Sequence, residues 1–157
     1  MPQMNLQAIC STTCRCEHCL ANVFPLSDVL PALLKPEQLI LPGTRDLDPA
    51  EKKYMERKNI SPIGVLPETS LIQQLDAILH AKAKKHLYIR MDLDVLDARL
   101  FPWTPLPSNT AGYAPEVILS VLKYLRRQYD VVGTGIFEFC YNGTIPSSVK
   151  DFLSVLK

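Results

Sequence analysis

Asp92, Asp94 and Asp97 stand close together in RMDLDVLDARLFP, residues 90–102, and Glu138 closes the apolar run GTGIFEF. Carboxylates this near one another repel, and they stay ionised together only if a cation, an arginine or lysine, or bulk water compensates them. Hard divalent cations favour clustered carboxylate oxygens, so one reading is a metal site. The other is a strand end whose acids are simply solvated. Glu138 admits the same two readings, although its apolar neighbours argue for a cation close by.

A second group with metal-ligand chemistry lies in CSTTCRCEHC, which holds Cys10, Cys14, Cys16, Cys19 and His18. Thiolate and imidazole are zinc ligands, but the spacing is irregular and no second Cys or His pair follows at a finger-like distance. Structural zinc, reduced thiols and a disulfide all stay open. The expectation is that this stretch carries no stoichiometric metal.

These residues need elements to position them, and from Gln38 onward apolar runs alternate with amphipathic segments. Strands are expected near 38–43, 86–93 and 131–138, and helices near 49–58, 71–84 and 115–128. Asp48 reads as a helix N-cap, with Pro49 at the first helical position and Glu51 three residues after the cap. Residues 60–66 read as a short extended stretch, and 146–157 as a last helix. Residues 101–113 carry too much proline for regular structure, and residues 1–25 are expected to be irregular.

Alternating strand and helix implies an α/β fold of three layers, a mainly parallel sheet with helices on both faces. Period-two alternation along the strand at 86–93 sends Asp92 and Asp94 to the same face. Ligands of such sheets gather at the carboxyl ends of strands, which is where Asp92, Asp94 and Glu138 are expected.

The 157 residues are 47% hydrophobic with a formal charge of +1, which suits one domain over 1–157 with a real core. The balanced charge argues against nucleic acid as a partner and against binding at a membrane surface. No apolar run approaches the roughly 20 residues of a membrane span, and the N-terminus lacks a basic region followed by an apolar one. A soluble, cytoplasmic protein is expected.

At this point three segments resemble the ureohydrolase family, which includes arginases, agmatinases and formimidoylglutamases. MDLDVLD, residues 91–97, is similar to the family's S-F-D-x-D-x-x-D signature. GTRDLDPAE, residues 43–51, is similar to its G-x-R-D-x-D-P-x-E segment, and GIFEF holds Glu138 at the place of the glutamate that receives the guanidinium. The resemblance implies Asp92 and Asp94 as ligands of a manganese pair, with Asp97 in support. It also implies Asp46, Asp48 and Glu51 near the amino-acid end of a guanidino substrate such as arginine or agmatine.

The departures are as specific as the matches. The family's G-G-D-H and D-A-H-x-D segments, which supply the remaining metal ligands, do not occur, so the resemblance implies an N-terminally truncated, partial arginase-like fold. His18 takes the place of the substrate-loop histidine, with Asn5 and the Cys-rich stretch as a degenerate substrate loop. His80 and His86 fall in a helix and at a strand start, away from ligand positions. A hydroxide held between two metal ions needs more ligands than one strand offers.

The expected function is therefore a ureohydrolase-family domain, related to metal-dependent hydrolases of guanidino and amidino C–N bonds, that is inactive or strongly impaired as this chain. One alternative is a manganese hydrolase active only when a complementing subunit supplies the missing strands. Another is a Cys-rich zinc-binding interaction module. A bare sheet edge would favour a homo-oligomer.

Overall fold

The computed structural model describes residues 6–10, 35–83, 85–105, 107–141 and 143–157. Its centre is a four-stranded parallel sheet in the order β2–β1–β3–β4, formed by β1 (Leu6–Cys10), β2 (Leu39–Ile40), β3 (His86–Asp92) and β4 (Asp130–Phe137). The chain passes from β1 to β2 on one side and then to β3 on the other. The carboxyl ends of β1 and β3 thus flank a topological switch point, where parallel sheets open a crevice.

Among the described residues four helices connect or follow these strands: α1 (Pro49–Arg57), α2 (Glu68–Ala81), α3 (Pro115–Gln128) and α4 (Ser147–Leu156). The Asp48 carboxylate begins α1 by accepting the amides of Ala50 at 2.7 Å and Glu51 at 2.8 Å. Glu51 accepts the Asp48 amide at 2.9 Å and completes the capping box. Helix α2 presents Leu71, Leu75 and Leu79, and α3 presents Ile118, Val121, Leu122 and Leu125. Spacings of three and four put each set on one stripe, and both stripes are buried.

Those stripes pack with Val149, Phe152 and Leu156 of α4 and with Leu87, Ile89 and Met91 of β3 in one core cluster. Each fully buried side chain of this size contributes about 1.5–3 kcal/mol. Along β3 the alternate residues His86, Tyr88 and Arg90 are only half-buried. A smaller cluster, Leu41 and Ile60 with Leu39, Tyr54 and Met55, anchors α1.

Helix α3 covers the expected 115–128, while three other elements differ from the sequence reading. Residues 6–10 form a strand at the centre of the sheet, within a stretch expected to be irregular. Five residues carry little periodic signal, and only the pairing on both sides makes them a strand. The strand expected over 38–43 is reduced to Leu39–Ile40. Residues 36–38 form a 3-10 turn before it, and Gly43 turns the chain after it at φ 76°. Pro42 keeps only an isolated parallel bridge to Ile63 in the extended stretch 60–66. Helix α2 stops at Ala81 rather than 84, followed by Ala83 in the left-handed region at φ 48°.

No helix among the described residues is long and apolar enough to cross a membrane.

Candidate functional site

Asp92 is the last residue of β3, and its side chain is only 1% exposed. Leu93–Val95 then form a 3-10 turn, so Asp94 lies beyond the strand. This corrects the expectation that the two aspartates share a strand face by period-two alternation. They are neighbours because the chain turns tightly, with Leu93 and Val95 buried as the anchors of the turn. Glu138 follows β4 at φ 58°. That left-handed conformation costs a residue with a Cβ about 1–2 kcal/mol, and such strain tends to collect at functional sites.

The register of β3 on β4 pairs Asp92 with Phe137, so Asp92 and Glu138 leave adjacent strands at the same sheet edge. Burial pushes the Asp92 carboxyl up to about 6; Arg90 opposes this, and the charges of Asp94 and Glu138 reinforce it. Asp94 and Glu138 therefore each lie within electrostatic reach of Asp92. Arg90 Nε donates to Asp92 Oδ1 at 3.0 Å, and its guanidinium carbon lies 4.5 Å from the centre of the Phe137 ring.

Asp97 supports the loop. Arg99 donates to its carboxylate through the backbone amide at 2.9 Å, Nε at 2.8 Å and Nη2 at 2.5 Å. These bonds hold the Asp97 carboxyl well below the usual range. The Asp97 amide donates to the Tyr113 carbonyl at 2.9 Å, and Tyr113 returns its amide to Val95 at 3.1 Å. The Pro-rich connection is thereby tied down beside the acidic turn. The Cys140 amide bonds the Trp103 carbonyl at 2.8 Å and draws the chain after Glu138 to the same loop.

Two arginines with direct parts in this site were not singled out from the sequence. Arg45 donates to the Asp94 carbonyl and, at 3.0 Å, to that of Thr110, clasping the turn to the loop. Its signal was its place inside GTRDLDPAE. Arg90 could have been found by period-two alternation, which puts it on the face of Asp92.

The other expected site residues fall elsewhere. Asp48 and Glu51 make the α1 cap, and Asp46 is exposed just before it. Asn5, His18 and the cysteines of the N-terminal cluster from Cys14 on lie outside the described residues, whereas Cys10 ends β1. His80 Nδ1 lies 3.2 Å from Asp76, and His86 Nδ1 lies 2.8 Å from Asp130 at the amino end of the sheet. Among the described residues, no three His, Cys, Asp or Glu side chains form a group that could hold a metal ion.

A family model described as the arginase family matches residues 12–140. No curated protein sequence matches the chain. The fold is similar to the arginase of Entamoeba histolytica solved with L-ornithine, at TM-score 0.81 and 14% identity, covering 99% of this chain and 61% of that one. An arginase from Bacillus subtilis is similar at TM-score 0.75 and 18% identity, covering 97% and 61%. A formimidoylglutamase from Bacillus subtilis is similar at TM-score 0.75 and 20% identity, covering 96% and 50%. The chain thus spans about three-fifths of the length of these arginases, and at such identities the likeness concerns the fold. With the parallel α/β architecture in place and the family model running through both acidic segments, from residue 12 to residue 140, the chain belongs to the arginase family.

Proposed function

We propose that this chain is an arginase-family domain that keeps the carboxylate edge of a guanidino-binding site but does not hydrolyse guanidino compounds by itself. What supports this reading is that Asp92 and Glu138 leave adjacent strands at one sheet edge, with Asp94 in electrostatic reach of Asp92 and Arg90 as the neighbouring cation. Glu138 would receive a guanidinium of the arginine or agmatine type, and Asp46, Asp48 and Glu51 would lie toward the amino-acid end. His18 and Asn5 remain candidates for the substrate loop. The protein is read as cytoplasmic.

Two manganese ions in the family's manner would have Asp92 and Asp94 as ligands. The described donor set does not fit such a pair: it offers two aspartates, and one of them already accepts a guanidinium N–H. No reaction step is therefore assigned to a metal. The test is release of urea or ammonia from arginine, agmatine and formimidoylglutamate, with and without millimolar manganese. Rates at background in all arms are expected, and turnover by the purified chain would overturn the reading.

A second reading is a hydrolase active when another chain supplies further strands. It is favoured by β4, which pairs on one side only among the described strands. Activity appearing on mixing with a fragment that carries the G-G-D-H and D-A-H-x-D segments would establish it. The Cys-rich zinc module rests on CSTTCRCEHC alone, where no stoichiometric metal is expected.

A further inference from the structure

We infer that Arg90 is the resident cation of the acidic edge, a built-in counter-charge that keeps divalent metal off Asp92. The inference deepens the proposed function, since it rests on Asp92 and Asp94 standing at the family's metal-ligand positions.

Four of the described residues build the arrangement. Arg90 and Asp92 lie two apart on β3 and so share a face, and Arg90 Nε reaches Asp92 Oδ1 at 3.0 Å. In the sheet register Arg90 sits opposite Gly135 and Asp92 opposite Phe137. A Cβ on Gly135 would lie 2.6 Å from Phe137 Cε2, so the missing side chain is what lets the Phe137 ring fold back over its own strand. From there the ring faces the guanidinium at 4.5 Å. Aromatic face and carboxylate together hold the arginine head against a wall on one side and an anion on the other.

Burial makes this geometry matter. The Asp92 side chain is 1% exposed and that of Arg90 28%, so water screens their interaction poorly. A divalent ion at Asp92 would compete with Arg90 for Oδ1 or, on Oδ2, sit beside a fixed positive charge. Arg90 also stands where the signature S-F-D-x-D-x-x-D has serine, which carries no charge.

The test is manganese binding, read by the loss of the free-ion paramagnetic resonance signal on titrating protein, for wild type, Arg90→Lys and Arg90→Gln. Wild type and Arg90→Lys are expected to take up no manganese below about 1 mM, and Arg90→Gln to bind at least about tenfold more tightly, with a matching rise in Tm on adding the metal. Arg90→Gln/Asp92→Asn should lose that gain. Circular dichroism checks the fold of each variant; if Arg90→Gln does not fold, Arg90→Met is read against the same two outcomes. Tight binding by wild type overturns the inference, as does a folded neutral variant that binds no better. Because urea release is assayed separately, a metal-binding but hydrolytically silent wild type would sink this inference and leave the proposed function standing.

Discussion

The Gly112 amide faces Asp97 Oδ2 at 3.4 Å, and a Cβ on Gly112 would lie 2.6 Å from the Asp97 amide nitrogen and 2.5 Å from the Leu96 carbonyl carbon. Backbone pressed against backbone cannot yield as a side chain can. Gly112→Ala is expected to cost about 2–3 kcal/mol and to loosen the loop over the acidic turn. Urea denaturation measures the loss; a change below about 0.5 kcal/mol would mean that the loop shifts freely.

Asp92 sets a pH dependence with a definite sign. Its carboxyl is moved from 3.8 to about 6 in the folded state, so across that window the folded protein binds more protons than the unfolded one. Stability on this account is full below 3.8, falls as pH rises through the window, and levels off above about 6. The cost at neutral pH is up to roughly 3 kcal/mol. Asp92→Asn should flatten this slope, so denaturation midpoints of variant and wild type should diverge between pH 4 and pH 7. Parallel curves would contradict the burial argument.

The Asp76 carboxylate ties α2 to α3. Tyr124 and Tyr129 both donate to its Oδ1, at 2.8 and 2.7 Å; these bonds lower its pKa and raise that of Tyr124, while burial, and after it the Asp76 bond, raises that of Tyr129. Tyr124→Phe and Tyr129→Phe should each cost about 1 kcal/mol. Because they share one oxygen, the double variant should depart from the sum of the singles. Strict additivity in thermal melts would show that the two bonds are independent.

The α1 cap makes a local prediction. Asp48→Ala removes the acceptor for two amides and should cost about 1 kcal/mol. Asp48→Asn, which keeps a cap oxygen, should cost less. Equal losses would point to a role for the charge beyond the cap.

Strand β4 is eight residues long and outermost among the described strands, with Val132 45% and Phe137 42% exposed. Long, apolar, unblunted edges pair with other chains. Self-association is expected in gel filtration at high concentration, and Val132→Lys should shift the elution toward the monomer. A wild-type monomer at every concentration would refute it.

What the sequence determined by itself is what short-range physics controls. The α1 cap is chemistry between Asp48 and Glu51, three residues apart, and the buried face of α3 is a stripe repeated every three or four residues. The acidic segments were legible as residue types, and their match to a family was legible because motif order survives divergence. The tertiary structure decided the rest. LQAIC becomes the central strand only because β2 and β3 pair with it, and 38–43 shrinks to two residues between a 3-10 turn and Gly43. Asp94 leaves the strand because buried Leu93 and Val95 draw the chain into a turn. Arg90, Asp92 and Phe137 meet through a strand register spanning 45 positions between Asp92 and Phe137, a separation at which no local pattern carries information.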